Sequence, residues 1–237
     1  MVQLTQNHPY ITLRVKFKKV GGLQYISHLD LVRTMHKIIT RAKLPLWYTE
    51  GFNPKPKMIF AAPLSIGTES VTEYVDIKLV DDIAPEEAMR RLNENMTAEM
   101  QVLDAYYTET KPTLLKWLSY RIKIFTTGAD CDMAEKCNEL FSGKEIMVEK
   151  KAKAGEEPKS FDIAPLTRSF SAAYSPEEGC IIIDAVLSSD SSSFLNPEYV
   201  VKALRKYVGV LSSPDITSEF WSIMRLAAYN EDMTPFV

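Results

Sequence analysis

Residues 14–17 read Arg-Val-Lys-Phe, and residues 121–124 read Arg-Ile-Lys-Ile. Both stretches alternate cations with β-branched or aromatic residues, a pattern that favours half-buried strands. Each is followed by a second similar stretch, Tyr-Val-Asp-Ile-Lys-Leu at 74–79 and Ile-Ile-Asp-Ala-Val-Leu at 182–187. The distance from the arginine to the aspartate, Asp76 or Asp184, is 62 positions in the first case and 63 in the second. The matched order predicts an internal repeat.

A helix start follows each second strand. Residues 85–92 read Pro-Glu-Glu-Ala-Met-Arg-Arg-Leu, and residues 197–204 read Pro-Glu-Tyr-Val-Val-Lys-Ala-Leu. Proline at the first helical position, with acids in the first turn, is typical of a helix N-terminus. The sequence therefore predicts an α+β fold of two tandem ferredoxin-like (β-α-β-β-α-β) units, residues 10–110 and 118–230, joined by a linker at 111–116.

Local patterns predict the elements of both units. In the first, Ser27 caps a helix that runs to about residue 42, with Asp30 completing a variant of the capping box. The other expected elements are strands at 10–19, 73–79 and 101–108, extended segments at 46–48 and 57–62, and a helix at 85–95. The second unit is expected to have helices at 130–141 and 197–208 and strands at 145–151, 161–171, 180–187 and 220–228, with a charged hairpin tip at 150–159.

Composition narrows the protein class. The chain has 237 residues, of which 46% are hydrophobic and 25% charged, as in ordinary globular proteins. No apolar run approaches the ~20 residues of a membrane span, and residues 1–9 lack the apolar stretch of a signal peptide, so we expect a cytoplasmic protein without a membrane partner. Three cysteines without a Cys-x-x-Cys pair indicate neither a disulfide framework nor a zinc site, and we expect no metal or cofactor.

Charge is distributed unevenly along the chain. Residues 1–60 contain ten lysines and arginines against two acids, a formal charge of +8, although the whole chain carries −3. An anionic partner for the first third would explain this asymmetry. A basic face that docks on the acidic remainder of the chain would explain it equally well.

Three sequence blocks carry a family resemblance. Residues 25–31 read Tyr-Ile-Ser-His-Leu-Asp-Leu, residues 50–57 read Glu-Gly-Phe-Asn-Pro-Lys-Pro-Lys, and residues 63–67 read Pro-Leu-Ser-Ile-Gly. Together they resemble a bacterial family of radical-SAM-associated (radical-SAM-linked) domains of uncharacterised activity. The resemblance implies a radical-SAM enzyme as partner. This chain lacks the Cys-x-x-x-Cys-x-x-Cys signature of the radical enzyme itself.

The same blocks supply the candidate site residues. His28 lies in the first turn of the predicted helix, where free N–H groups and the helix dipole favour an anion, so it is the candidate catalytic or ligand-binding residue. The alternative is that His28 merely satisfies a turn. The candidate ligand-binding residues are Asn53, Lys55 and Lys57 on a proline-stiffened loop, Ser65, and two arginines, Arg33 and Arg168. We expect His28, Asn53, Lys55, Lys57 and Ser65 to converge on one site.

These observations favour an accessory module that binds RNA or another phosphate-bearing ligand through the basic first unit. Trp47, Tyr48 and Phe52 would stack on bases. One alternative is an RNA-processing or RNA-modification enzyme with His28 as general base and Lys55 or Lys57 as clamp. The other alternative is a protein–protein scaffold that does not bind nucleic acid.

Overall fold

The computed structural model describes residues 10–143, 145–150, 159–190, 192–215 and 217–237. Its contacts divide the chain into two compact units. Unit 1 comprises Met1–Leu115 together with Thr234–Val237, and unit 2 comprises Lys116–Met233. Each unit combines helices with an antiparallel sheet, which confirms the predicted α+β class. The last four residues belong to unit 1, which the sequence did not predict.

Unit 1 has six main elements in the predicted β-α-β-β-α-β order. They are β1 (Ile11–Lys19), α1 (His28–Arg41), β2 (Met58–Phe60), β3 (Thr68–Leu79), α2 (Pro85–Asn93) and β4 (Val102–Tyr107). Strand β1 pairs antiparallel with β3 on one side and with β4 on the other, and β2 pairs antiparallel with β3. The strands of this unit therefore follow the order β4-β1-β3-β2.

The core of unit 1 lies between this sheet and its helices. Leu13, Val15 and Phe17 alternate along β1 on one face of the sheet, and all three are fully buried in one apolar cluster with Met35 and Ile39 of α1. Burial of each such side chain contributes about 1.5–3 kcal/mol relative to exposure. Intervening residues of β1 point to the opposite face. Helix α1 therefore has a fixed orientation over the sheet, and it positions the side chains described below.

Unit 2 follows the same plan with an additional hairpin. Its elements are β5 (Trp117–Phe125), α3 (Cys131–Ser142), β6 (Met147–Lys150), β7 (Lys159–Asp162), β8 (Thr167–Ser175), β9 (Cys180–Ser188), α4 (Glu198–Tyr207) and β10 (Phe220–Tyr229). Antiparallel pairing gives the order β10-β5-β9-β8. Strands β6 and β7 pair with each other outside that sheet.

One predicted strand of unit 2, residues 161–171, is two strands in the structure. Strand β7 ends at Asp162, and a short 3₁₀ turn, Ala164–Leu166, precedes β8. The carboxylate of Asp162 accepts hydrogen bonds from the backbone N–H groups of Ile146 and Ala164, and Pro165 has no N–H to continue a ladder. These contacts turn the chain between the two strands. Most of the predicted charged tip, residues 151–158, lies outside the described residues.

Helix starts agree with the sequence to within one residue. The Ser27 hydroxyl accepts a hydrogen bond from the backbone N–H of Asp30, as the capping pattern predicted. Pro85 is the first residue of α2, whereas Pro197 is the N-cap of α4 rather than its first residue. Within the described ranges, no helix has both the length and the apolar character needed to cross a membrane.

Candidate functional site

The 47–57 hairpin, which spans Trp47 to Lys57, projects from the β2–β3 side of unit 1. Its arms are joined by backbone hydrogen bonds from Lys57 N–H to the Trp47 carbonyl (3.0 Å) and from Thr49 N–H to the Lys55 carbonyl (2.9 Å). At its base, Lys78 of β3 accepts from Trp47 N–H and donates to the Lys57 carbonyl. Two prolines, at positions 54 and 56, restrict the second arm. The hairpin is thus anchored to the sheet and conformationally restricted.

The tip of this hairpin exposes an aromatic ring beside a lysine. Phe52 is fully exposed, at 112% of its reference area, and Tyr48 is 44% exposed. Asn53 and Lys55, two of the predicted ligand-binding residues, are exposed on the same tip. The tip therefore offers flat apolar surface and positive charge to a partner.

The base of the hairpin is a cluster of rings and ammonium groups. The Lys57 ammonium lies 5.9 Å from the Trp47 ring centroid, and the rings of Trp47 and Tyr10 are 5.2 Å apart. Lys78 contacts the Tyr10 ring at 5.0 Å and donates to the Thr12 hydroxyl at 2.7 Å. Burial lowers the pKa of Lys78, and the nearby Arg14 and Lys57 charges act in the same direction, against the opposing effect of Asp76. Lys57 is held against the Trp47 ring by the cation–π contact described above.

Helix α1 meets the hairpin through His36. Its Nε2 atom lies 3.2 Å from the Pro56 carbonyl oxygen, to which it donates in the matching tautomer. Three cations, Arg33, Lys37 and Arg41, follow at four-residue intervals on the exposed side of α1. Arg33 donates to the Asp30 carboxylate at 3.3 Å. The pKa of Asp30 is lowered, first by the Ser27 hydroxyl and then by Arg33. We call these three cations, together with Lys55 and Lys57, the unit 1 basic surface.

His28 lies apart from this contact. It is the first residue of α1, and its ring packs edge-to-face on Phe60 of β2, with centroids 5.2 Å apart. Its Nδ1 atom is shielded from solvent and has no hydrogen-bond partner in the described part of the chain. His36 follows eight positions later, about 12 Å along the helix axis. The structure therefore brings His36 against the hairpin and places His28 in the helix–sheet layer.

Ser65 and the Gly21-Gly22 turn belong to a second region of unit 1. The backbone N–H groups of Gly21 and Gly22 donate to the carboxylates of Glu69 (2.6 Å) and Glu99 (3.1 Å). Gly21 has φ +61°, a backbone conformation that favours glycine. Ser65 is half-buried, and its carbonyl accepts from Thr68 N–H. Internal carboxylates thus occupy the donors of this turn.

Arg168, the remaining predicted ligand-binding residue, lies in unit 2. It is exposed on β8, and its guanidinium carbon is 5.2 Å from the Trp117 ring centroid. The structure therefore places Asn53, Lys55 and Lys57 on the hairpin, Arg33 on α1, whose His36 contacts the hairpin, and Arg168 on the other unit. Across the residues that the structure describes, no three His, Cys, Asp or Glu side chains form a cluster that would hold a metal ion.

A protein-family model matches residues 12–197, most of the chain. The chain belongs to this family, the uncharacterized proteins conserved in bacteria (DUF2344). The matched range runs from Thr12, the second residue of β1, to Pro197, the N-cap of α4. None of the curated proteins matches the chain.

Solved structures share limited similarity with the chain. One is from the crystal structure of a Cbf5-Nop10-Gar1 complex, with 12% identity and a TM-score of 0.49 over 95% of this chain. This chain spans about half of that one, 51%. Another is an unknown protein from Galdieria sulphuraria, with 8% identity and a TM-score of 0.27, covering 91% of this chain and 98% of the other.

Proposed function

We propose that this chain is an accessory module that binds RNA through the unit 1 basic surface and works beside a radical-SAM enzyme. The observation that carries the proposal is the fully exposed Phe52 at the tip of a lysine-bearing hairpin that α1 braces through His36. The Phe52 ring and the Lys55 ammonium group are both exposed on a hairpin that is hydrogen-bonded to β3. Single-stranded nucleic acid presents the matching pair of groups, a stackable base and a phosphate.

The two kinds of contact have separate roles. Stacking of one base on Phe52 contributes about 1–3 kcal/mol and tolerates any base. Lys55 and the α1 cations neutralise phosphates, which makes affinity depend on salt. The paired backbone bonds of the hairpin and its two prolines reduce the conformational freedom lost on binding. The module would therefore bind RNA with little sequence preference, as suits a protein that presents a substrate to an enzyme.

The radical-SAM partner rests on the sequence resemblance of the blocks at 25–31, 50–57 and 63–67. Two of these blocks contribute to α1 and the hairpin, so the resemblance and the RNA proposal concern one region. Co-expression with a radical-SAM RNA-modification enzyme and size-exclusion chromatography tests the partnership. We expect one co-eluting peak; separate elution of the two proteins at micromolar concentration would contradict it.

RNA binding is tested by fluorescence anisotropy with a labelled 12-nucleotide oligouridine over a series of salt concentrations. Neutralisation of about three phosphates predicts a log–log salt slope of about −2. Phe52→Ala is expected to weaken binding by about 5- to 150-fold with the slope unchanged. Lys55→Ala is expected to make the slope shallower by about 0.7. Both positions are exposed, so thermal midpoints should not change.

Lys136→Ala on α3 is the matched control, since Lys136 is an exposed helical lysine of unit 2. It should leave both affinity and slope at the wild-type values. No binding at low salt, or equal losses for Lys136→Ala and Lys55→Ala, would refute the proposed interface. Binding of inorganic polyphosphate with the same slope and no effect of Phe52→Ala would indicate a phosphate ligand without bases.

A further inference from the structure

Unit 1 contains a buried ion pair on the face of its sheet opposite the α1 cluster. Arg14 of β1 and Asp76 of β3 are register partners, and their side chains form two parallel hydrogen bonds, Nε to Oδ1 at 2.7 Å and Nη2 to Oδ2 at 3.0 Å. Arg14 is 0% exposed and Asp76 is 1% exposed. This bidentate geometry leaves Nη1 and the outer N–H of Nη2 available to a third group.

Thr110 and residues Phe236 and Val237 together supply that third group. Nη1 donates to the main-chain oxygen of Val237 at 3.0 Å and to the Thr110 hydroxyl at 2.8 Å, while Nη2 donates to the Thr110 carbonyl at 2.9 Å. The Phe236 ring lies 4.4 Å over the guanidinium carbon and packs edge-to-face on Tyr74 at 5.0 Å. Phe236 is 1% exposed. Unit 1 thus shows how this arginine–aspartate pair holds an extended segment that carries an aromatic residue.

Unit 2 repeats the pair at the corresponding strands. Arg121 of β5 and Asp184 of β9 are register partners, with Nε to Oδ1 at 2.8 Å and Nη2 to Oδ2 at 2.9 Å. Here the side chains are 46% and 47% exposed. Among the described residues, Nη1 of Arg121 has no hydrogen-bond partner. The receptor geometry of unit 1 is therefore present in unit 2, where none of the described residues covers it as Phe236 and Val237 cover Arg14.

The surroundings of Arg121 favour a neutral occupant. Met224 of β10 lies directly opposite Arg121. Ile182 lies two positions before Asp184 on β9, as Tyr74 lies two positions before Asp76 on β3. The neighbouring cation on the same face, Lys123, is itself paired with Glu178. Arg121 and Lys123 are thus each matched by a carboxylate, so these two cations lack the excess charge that a phosphate chain requires. Apolar neighbours and a free guanidinium donor suit a peptide.

We infer that Arg121 is the centre of a docking site for an extended segment of a partner protein, in which an aromatic residue is followed by an accessible main-chain carbonyl. Arg121 Nη1 donates to that carbonyl, the ring covers the guanidinium plane, and Asp184 holds the guanidinium in orientation. The site is separate from the unit 1 basic surface and does not depend on RNA binding. It gives the module a protein contact on unit 2.

The chain's own covering segment provides the probe. A labelled peptide with the sequence of residues 233–237, Met-Thr-Pro-Phe-Val, is made with an acetylated N-terminus and an amidated C-terminus, so that only the ring and main-chain groups are tested. Anisotropy with the full chain should show one saturable site. Arg121→Ala should weaken binding tenfold or more, because a hydrogen bond from a charged donor and the ring contact are both lost. Replacement of the peptide phenylalanine by alanine should have a similar effect.

Lys123→Ala is the control, since it removes a neighbouring cation and leaves Arg121 in place; it should change peptide affinity by less than threefold. Arg121 is about half exposed, so Arg121→Ala should keep the wild-type thermal midpoint. If Arg121→Ala binds the peptide with unchanged affinity, the peptide is displacing the chain's own Phe236 and Val237 at Arg14, and the inference is overturned. The inference is also overturned if the wild-type protein does not bind the peptide at millimolar concentration. The same holds if Arg121→Ala loses affinity for oligouridine and keeps its affinity for the peptide.

Discussion

The two arginine–aspartate pairs allow one substitution to be compared in buried and exposed surroundings. Asp76→Ala leaves the Arg14 guanidinium in a fully buried site with its charge uncompensated, although Thr110 and Val237 still accept three of its hydrogen bonds. Removal of one partner of a buried ion pair costs about 3–5 kcal/mol. Asp184→Ala removes the same carboxylate from a pair that is about half exposed, where the cost is about 0.2–1 kcal/mol. We therefore expect a difference of at least 2 kcal/mol between the variants.

Urea unfolding measures this difference. Far-UV circular dichroism and tryptophan fluorescence are recorded together, since Trp47 lies in unit 1 whereas Trp117 and Trp221 lie in unit 2. Asp76→Ala should lower the midpoint of the transition that Trp47 reports, with little change in its slope. Asp76→Asn, which keeps one acceptor, should have a smaller effect. Equal costs for Asp76→Ala and Asp184→Ala, or a cost below 1 kcal/mol for Asp76→Ala, would refute the reasoning.

Two further predictions concern polar groups in apolar surroundings. His28→Leu should raise the free energy of unfolding by about 1 kcal/mol in the same urea assay, because the shielded Nδ1 atom has no hydrogen-bond partner in the described residues. A decrease of more than about 1 kcal/mol would show instead that the imidazole makes a stabilising contact. In the folded protein at pH 8, a disulfide-exchange reagent should modify the exposed Cys131 rapidly and the buried Cys137 and Cys180 only after denaturation. Burial raises the pKa of Cys137 to about 11 and also raises the pKa of Cys180. Rapid modification of a second thiol would contradict this burial.

The order of elements in unit 1 was predictable because its signals are local. Ser27, the helical apolar spacing after it and the alternation along β1 each act within a few residues, and the structure has the helix and strand where those signals place them. The repeat signal also had a physical basis. Arginine and aspartate at a separation of 62 or 63 positions mark register partners on neighbouring strands of each unit.

The site was less predictable because its contacts join distant residues. The backbone N–H groups of Gly21 and Gly22 are bound by carboxylates from positions 48 and 77 residues away, which no local pattern predicts. No pattern around His28 reveals that its ring packs on Phe60. His36 was not among the predicted site residues, because only the tertiary path of the hairpin brings the Pro56 carbonyl to it.

Both units use one frame, and their differences lie in what covers or extends it. In unit 1, the connection between α1 and β2 is a hairpin that carries Phe52 and Lys55, and the Arg14–Asp76 pair is closed by Phe236. The buried Arg14–Asp76 pair stabilises unit 1, and the exposed charge and aromatic surface lie on the hairpin at Lys55 and Phe52. In unit 2, no described residue closes the corresponding pair at Arg121, and the neighbouring Lys123 is paired with Glu178. Under the two proposals made above, a duplicated frame supports two distinct surfaces, one that binds an anionic chain and the other a peptide.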